Sequence, residues 1–363
     1  MATANRRRRI PSPPSTASFS RSPTVATDPP PYFLPELIPE VARRLTSLQD
    51  FFALRAACRA YRALLPLTPS NLASQTPLLL VPCDDFESHA LLHLPLRRIH
   101  RFRLPRTGLG ATHDVVTEVR TFGCRVAISN THYSRPPKRD LTIVHLLTGE
   151  RVCLPSPTRV FDRILLSGDL VVSWEYDHII YCRVGAPKWR MASISLANDL
   201  YNLILVKDNL YALVNPGQRV ALVDLPDENN NNGLKLTFLG GGFDIQEDGR
   251  VFSLSECRGE LLLVIFSKGS EGLFHVLQWQ SEEGKWVRIT NLGGRTLFFA
   301  GSCFSGCLGP DHPGIRGDCI YVTTSRFRCM FSLVNKSLDG VATFSLREEP
   351  YRCPPLWVFP SMC

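Results

Sequence analysis

A repeated strand pattern begins at Gly168-Asp169-Leu170-Val171-Val172 and continues through Ile179-Ile180-Tyr181 to Lys188-Trp189. It recurs from Asp208-Asn209-Leu210-Tyr211-Ala212 to Val220-Ala221-Leu222-Val223-Asp224, and from Gly259-Glu260-Leu261-Leu262-Leu263 through Phe274-His275-Val276-Leu277 to Lys285-Trp286. The repeats start about 40 to 50 residues apart, which is the length of a four-stranded propeller blade. A β-sandwich would give similar hairpins, but this spacing favours a β-propeller.

The rest of the chain from about residue 77 has the same character. Short apolar runs alternate with turns rich in Gly, Asp and Asn, as expected for many short strands. Examples are Leu78-Leu79-Leu80-Val81, Leu141-Thr142-Ile143-Val144, Leu203-Ile204-Leu205-Val206 and Leu261-Leu262-Leu263-Val264-Ile265-Phe266. We therefore expect one large all-β, β-propeller-like domain over residues 77–360.

The periodicity upstream of this domain is helical. Apolar side chains recur at helical spacing in a first short helix, at Leu34, Leu37, Ile38, Val41 and Leu45. A second stripe comprises Phe51, Leu54, Cys58, Tyr61 and Leu65, with Arg55, Arg59 and Arg62 along a basic edge. Ser47 followed by Asp50 is typical of a capping box at the start of the second helix. The sequence thus predicts a small all-α module before the β domain.

A module of this size buries too little apolar surface to offset the entropy of ordering it. We therefore expect its apolar face to need a second protein. The segment 32–70 resembles an F-box, and this resemblance implies that the partner is a Skp-type adaptor and, through it, a cullin. The residues that it implies for adaptor binding are Leu34, Pro35, Ile38, Val41, Leu45, Leu54, Cys58 and Tyr61.

The β domain also resembles a known family. Leu146-Leu147-Thr148-Gly149-Glu150, Lys285-Trp286-Val287 and Pro355-Leu356-Trp357-Val358 are similar to motifs of plant F-box proteins with C-terminal domain of unknown function 295. That resemblance implies a kelch-related, β-propeller-like domain that binds a target protein. It also implies the function of a substrate-recognition subunit of a cullin-based (SCF-type) ubiquitin ligase, whose target the sequence does not identify.

Residues 1–31 form a tail rich in Arg, Ser and Pro, a composition typical of disorder. Arg6 to Arg9 fit a nuclear-import patch, and the acid-poor composition also fits an organellar transit peptide. A downstream F-box favours the nucleus or cytoplasm, where the adaptor resides. The alternative is an organelle-targeted or nuclear β-propeller scaffold in which the F-box is vestigial.

The charge distribution argues against nucleic acid as the main partner. The chain of 363 residues has a formal net charge of +8, of which residues 1–31 carry +4. The body shows no Lys/Arg stripe interleaved with aromatics, so we do not expect nucleic-acid binding. No apolar run approaches the roughly 18 residues of a membrane helix, so we expect no membrane association.

We expect no cofactor, no metal and no catalytic residue, and hence a non-catalytic subunit. The cluster Cys303, Cys307, Cys319, Cys329 and His312 lacks the paired spacing of structural zinc sites. The other cysteines, including Cys124, are predicted to be isolated reduced thiols. Catalytic motifs such as H-E-x-x-H and G-x-S-x-G are absent, and histidines such as His178 and His275 occur singly.

Overall fold

The computed structural model describes most of the chain downstream of the N-terminal tail. The described residues are 34–82, 88–93, 98–103, 115–132, 138–157, 163–175, 177–194, 199–215, 218–226, 234–241, 250–267, 274–310, 312, 314–324, 328–340 and 355–362. The predicted tail, residues 1–31, lies outside them. None of the helices in these residues is both long and apolar enough to span a membrane.

Three short helices precede the first strand: α1 (Leu37–Arg44), α2 (Leu48–Ala56) and α3 (Arg59–Leu64). The prediction of one continuous second helix is wrong. The backbone is extended at Cys58, so this region forms two helices, α2 and α3. Cys58 is the N-cap of α3, and its Sγ accepts a hydrogen bond from the Tyr61 amide at 3.4 Å. Ser47 stands at the N-cap of α2 as expected, but its side chain makes no capping hydrogen bond.

The strands form six sheets, which we number as blades in chain order. Blade 1 contains β1 (Leu78–Pro82), β2 (Ser88–His93) and β3 (Arg98–Arg103); blade 2 contains β4 (Val115–Phe122), β5 (Arg125–His132), β6 (Lys138–His145) and β7 (Arg151–Leu154); blade 3 contains β8 (Ile164–Ser167), β9 (Leu170–Glu175), β10 (His178–Arg183) and β11 (Arg190–Ser193). Blade 4 contains β12 (Asp199–Val206), β13 (Asn209–Asn215), β14 (Arg219–Asp224) and β15 (Lys235–Leu239); blade 5 contains β16 (Arg250–Cys257), β17 (Glu260–Ser267), β18 (Phe274–Gln280) and β19 (Lys285–Ile289). Blade 6 contains β20 (Thr296–Ala300), β21 (Cys303–Leu308), β22 (Cys319–Thr323), β23 (Arg328–Ser332) and β24 (Ser337–Gly340).

The last strand, β25 (Leu356–Val358), closes the ring. It pairs antiparallel with β1, through Leu78 with Val358 and Leu79 with Trp357, and so completes blade 1 with a strand from the other end of the domain. The innermost strands are β25, β4, β8, β12, β16 and β21, and successive members of this set contact one another around the ring. The predicted β-propeller is confirmed, with six blades.

Blade 6 departs from the simple meander of the other blades. Its order is β21-β20-β22-β23-β24, so β21 folds back to the inner edge and β20 pairs in parallel with β22. We call the connection from β21 to β22 the crossing loop. Asp318, at its end, fixes it to the turn before β20, because its Oδ1 accepts hydrogen bonds from the amides of Leu292 at 2.5 Å and Gly294 at 3.0 Å. Gly317 lies so close to Gly294 that an added Cβ would stand 2.4 Å from its carbonyl oxygen.

The core lies between consecutive blades. Every residue of β20 and β22 is buried, and four consecutive residues of β9 are buried. Strands covered on both faces become continuous apolar runs instead of alternating ones. This explains why the sequence showed runs such as Leu261 to Phe266 without an amphipathic period.

The cysteines correct one expectation. Eight cysteines in the described residues are free thiols: Cys58, Cys153, Cys182 and Cys257, as predicted, and the four of the cluster considered as a zinc site, Cys303, Cys307, Cys319 and Cys329. Cys124 is disulfide-bonded, so its prediction as a reduced thiol was wrong.

Candidate functional site

The helical segment has a small core of its own. Its buried members are Ile38, Ala42, Phe51, Tyr61, Leu65 and Leu72, with Leu45, Leu54 and Cys58 partly buried around them. Leu147, in the turn after β6, packs against the same cluster. The helices therefore bury one side against each other and against blade 2 of the propeller.

Polar contacts fix this segment to blade 1 as well. The side-chain amide of Gln75 donates to the carbonyl of Leu45, and Gln75 is buried. His93, on β2, contacts the Thr46 carbonyl through Nε2 at 3.2 Å and the Thr76 hydroxyl at 2.7 Å. Because three buried polar groups meet at the chain segment between α1 and α2, that segment is held in one position relative to the propeller.

The other side of α1 presents apolar side chains to solvent. Leu37 is 49% exposed and Val41 is 45% exposed, and their spacing places them on one side of α1; Leu34, just before the helix, is 66% exposed. We call Leu34, Leu37 and Val41 the α1 face. Exposed large apolar residues in a contiguous group are characteristic of interaction surfaces.

The eight residues predicted to bind the adaptor fall into three groups. Leu34, Pro35 and Val41 are exposed; Leu45, Leu54 and Cys58 are half-buried; Ile38 and Tyr61 are buried. The structure therefore brings all eight into one helical segment, with Ile38 and Tyr61 in its interior. Leu37, which the sequence placed on the apolar stripe but not among the adaptor-binding residues, belongs to the exposed group.

The predicted basic edge divides in a similar way. Arg59 and Arg62 are exposed, whereas Arg55 is half-buried and donates from Nε to the Leu65 carbonyl at 2.9 Å. Arg55 thus satisfies a carbonyl at the end of α3 and stabilises the segment. Arg59 and Arg62 are the members of this edge whose side chains remain available to an acidic partner.

A cavity of about 490 Å³ lies on the propeller axis, lined by residues of all six innermost strands. The lining residues include three arginines, Arg120, Arg125 and Arg163, and one acidic residue, Glu256. Arg125 donates to the Gly168 carbonyl at 2.9 Å, and Arg163 donates to the carbonyl of Tyr201. These hydrogen bonds hold the side chains of Arg125 and Arg163 in place beside the cavity. Three arginines and one glutamate among its lining residues give the cavity an excess of positive charge.

The helices and Arg163 occupy opposite faces of the propeller. β1 begins beside the end of β25, so the helical segment joins the propeller at that face. The same face carries the turn between β4 and β5. Arg163 stands just before β8 begins, at the other face. A partner bound to the helical segment would therefore lie at the face away from Arg163.

His178 is not isolated, although the sequence suggested a lone histidine. Its Nδ1 lies 2.7 Å from Asp177 Oδ1 and its Nε2 lies 3.3 Å from Glu175 Oε2. The imidazole is buried between two carboxylates in the hairpin that joins β9 to β10. This arrangement holds the ring in place and gives the turn a defined geometry.

The cysteine and histidine cluster considered as a zinc site does not assemble. Cys303 is exposed at the start of β21, whereas Cys319 and Cys329 are buried on β22 and β23. Cys307 lies against Cys257 of the neighbouring blade. Within the described part of the chain, no group of three or more His, Cys, Asp or Glu side chains could hold a metal ion.

The architecture defines a class of protein: a six-bladed β-propeller that carries a short helical segment on one face. The sequence matches the KIB1-4 beta-propeller family over residues 91–345, so the chain belongs to that family. Membership in this family in general suggests a role in protein interaction. No curated protein matches the chain.

Several solved structures are similar to the chain at low sequence identity. A puromycin-hydrolyzing peptidase from Mycobacterium tuberculosis has 11% identity and a TM-score of 0.40, and the match covers 77% of this chain and 46% of the peptidase. A putative 6-phosphogluconolactonase from Bacteroides fragilis has 10% identity and a TM-score of 0.41, covering 78% of this chain and 98% of that protein. Hsv2 from Kluyveromyces lactis has 12% identity and a TM-score of 0.33, and the match covers 60% of this chain and 85% of Hsv2.

Proposed function

We propose that this protein is a non-catalytic, substrate-recognition subunit of a cullin-based (SCF-type) ubiquitin ligase. In this proposal the helical segment is an F-box that binds a Skp-type adaptor, and the propeller binds the protein to be ubiquitinated. The α1 face carries the proposal, because three apolar side chains remain exposed on a segment that is otherwise well packed. The sequence resemblance to an F-box supplies the identity of the partner.

The energetics of the α1 face suit a partner that adds further contacts. Full burial of a Leu or Val side chain contributes about 1.5 to 3 kcal/mol, and these side chains are already partly covered. They would therefore contribute a few kcal/mol together, enough for a binding hot spot but not for a whole interface. The half-buried Leu45 and Leu54 and the exposed Arg59 and Arg62 would extend the contact.

Ile38 and Tyr61 have a supporting role in this proposal. Both are buried in the helical core, so they position the α1 face instead of touching the adaptor directly. Mutation of either residue would weaken adaptor binding by loosening the segment. Substitution of Leu34, Leu37 or Val41 would weaken binding by removing contacts while the fold is retained.

The mechanism is positional. The adaptor would hold one face of the propeller to the ligase, while the opposite face around Arg163 would hold the target. Holding target and ubiquitin-loaded enzyme together converts a bimolecular transfer into a nearly intramolecular one, which raises the effective concentration of the reacting groups. No residue of this chain needs to act on ubiquitin, and the proposal places the protein in the nucleus or cytoplasm.

Co-purification tests this function. The wild-type protein and the double variant Leu34→Ala, Pro35→Ala would be expressed with a tag in cells treated with a proteasome inhibitor. We expect the adaptor and cullin to co-purify with the wild type and to be lost from the double variant. A client should co-purify with both proteins, because the propeller is unchanged, and should carry ubiquitin only with the wild type. Equal recovery of the adaptor by both proteins would contradict the proposed docking face.

One observation favours the alternative of a scaffold with a vestigial F-box. The helical segment already packs on the propeller through Leu147, so it has a structural role without an adaptor. Such a scaffold could be nuclear or imported into an organelle. The same tagged protein would then recover no adaptor from either compartment, and organelle import would remove roughly the first 30 residues, which N-terminal sequencing would detect.

A further inference from the structure

Two free thiols of neighbouring blades lie in contact. Cys257 is the last residue of β16 in blade 5, and Cys307 lies near the end of β21 in blade 6. Their Sγ atoms are 3.3 Å apart, and both residues are free cysteines. The two strands run along the propeller axis, so a bond between these sulfurs would join two of the six innermost strands.

The geometry is close to that of a disulfide. A disulfide has an S–S distance of about 2.05 Å, so the two sulfur atoms need to approach by only about 1.3 Å. Cys257 is buried, whereas Cys307 is half-buried, so a small reagent can approach the pair from the side of Cys307. The described residues provide no third metal ligand beside this pair.

The surroundings activate one thiol of the pair. The hydrogen bond from Cys307 is the largest influence on the Cys257 thiol and lowers its pKa. The positive charges of Arg295 and Arg258 also lower this pKa, whereas burial and the negative charge of Glu256 raise it. The same hydrogen bond, together with burial, raises the pKa of Cys307. Burial alone raises the pKa of Cys329 to about 11 and also raises that of Cys182, so these thiols are unreactive by comparison.

We propose that Cys257 and Cys307 form a thiol-modification site that reacts with hydroperoxides to give an intramolecular disulfide between blades 5 and 6. The Cys257 thiolate attacks one oxygen of hydrogen peroxide, breaking the O–O bond to give a sulfenic acid and hydroxide. Cys307 gives its proton to the hydroxide, and its sulfur attacks the Cys257 sulfur, breaking the S–O bond and releasing a second hydroxide that is protonated to water. Two thiols are oxidised by two electrons, and one peroxide is reduced to two waters.

The disulfide would link two innermost strands that belong to different sheets. Closing a loop of this length restricts the unfolded chain, so the oxidised protein should unfold at a higher temperature than the reduced protein. This inference does not depend on the proposed ligase function. It concerns a propeller position that is separate from the α1 face.

The experiment uses the full chain, fully reduced and then treated with hydrogen peroxide before alkylation and peptide mass spectrometry. We expect a peptide that links Cys257 to Cys307, together with a peroxide-induced rise in melting temperature of a few degrees that is absent from Cys307→Ser, in which the Cys124 disulfide can still form. Cys182→Ser, which changes a buried thiol outside the pair, should form the same linked peptide. Absence of the linkage in the wild type, or linkage of Cys307 to Cys303 instead, would overturn the proposal.

Single variants distinguish the roles of the two thiols. In Cys307→Ser, the sulfenic acid on Cys257 has no resolving thiol, so dimedone should label Cys257 after peroxide treatment. In Cys257→Ser, dimedone should leave Cys307 unlabelled, because its own thiol is not activated. Equal labelling of both positions, or labelling of Cys307 alone, would contradict the assignment of Cys257 as the nucleophile.

Discussion

Trp357 of β25 pairs with Leu79 of β1 and thereby joins the two ends of the propeller. Trp357 is almost fully buried, its ring packs on Phe298 with centroids 4.9 Å apart, and its Nε1 donates to the Phe299 carbonyl at 3.0 Å. A ring of blades without this closure would leave strand edges open on both sides of the gap. The closing strand therefore contributes to the stability of the whole domain.

Trp357→Ala should destabilise the protein by about 3 to 5 kcal/mol, because it leaves a large cavity between blades 1 and 6. Trp357→Phe should cost less, since one aromatic ring remains; it loses the volume of the second ring and the Nε1 donor, and the hydrogen bond alone is worth about 1 kcal/mol. Urea unfolding measures both. Met191→Ala, at an exposed side chain, is the control and should leave the free energy of unfolding unchanged; similar losses for Trp357→Ala and Met191→Ala would contradict the closure role.

Asp318 offers a matched pair of variants in the crossing loop of blade 6. Its carboxylate accepts from the amides of Leu292 and Gly294, and its backbone has a positive φ of 53°. Asn provides an acceptor oxygen and tolerates this conformation, so Asp318→Asn should have a small effect. Asp318→Ala should reduce the free energy of unfolding by about 1 to 3 kcal/mol, because it leaves two amides without their acceptor. Equal losses of unfolding free energy in the two variants, measured by urea unfolding, would show that the acceptor oxygen of Asp318 does not stabilise the crossing loop.

Gly317→Ala tests the close approach in the same loop. An added Cβ would meet the Gly294 carbonyl oxygen at 2.4 Å, which forces the backbone to move. Gly241→Ala is the control, because a Cβ at that position would have nothing within 4 Å and the φ of Gly241 is not positive. We expect a lower melting temperature only for Gly317→Ala. A melting temperature equal to that of Gly241→Ala would show that the loop relaxes without cost.

His145 gives a prediction on pH. Burial, and then the positive charge of Arg125, lower the pKa of His145 below its usual value near 6.5, while Glu150 opposes the shift. The unfolded chain therefore binds a proton more readily, so stability decreases as the pH falls through about 6.5 towards the lower folded pKa. The His145→Asn variant should lose less stability as the pH falls, because Asn does not titrate. Its side-chain oxygen can still accept from the Thr148 amide, as His145 Nδ1 does at 3.2 Å.

The measurement for His145 is the melting temperature at a series of pH values between about 7.5 and 5.5. The wild type should lose more stability over this range than His145→Asn. The difference should be modest, since the imidazole is partly solvated. Identical pH profiles would show that His145 does not contribute to the loss.

The sequence predicted the propeller because blades repeat locally. The units beginning at Gly168, Asp208 and Gly259 each lie within one blade, so their strand order is visible in the chain. The closure by Trp357 was not predictable, because β1 and β25 lie at opposite ends of the domain and meet only when the ring forms. The order of β20 and β21 within blade 6 and the disulfide at Cys124 left no signal in the sequence pattern. The contact of Cys257 with Cys307 was missed because it depends on how blades 5 and 6 pack against each other.

The helical segment was predictable in composition but not in orientation. Periodicity identified one apolar stripe on α1 and could not divide it between a buried edge and an exposed edge. Ile38 lies on the buried edge because Tyr61 and Phe51 cover it, and Val41 lies on the exposed edge. A one-dimensional pattern reports that a helix has an apolar side, and only packing shows how much of that side remains uncovered.

The most direct test is the affinity of the purified protein for a purified Skp-type adaptor, measured by isothermal titration calorimetry. Val41→Asp places a charge on the α1 face, and Leu338→Asp changes a similarly exposed apolar residue on the propeller, 48% exposed against 45% for Val41. We expect the wild type and Leu338→Asp to bind equally and Val41→Asp to bind at least tenfold more weakly, a loss of about 1.4 kcal/mol or more. Absence of binding by the wild type, or equal binding by Val41→Asp, would contradict this expectation.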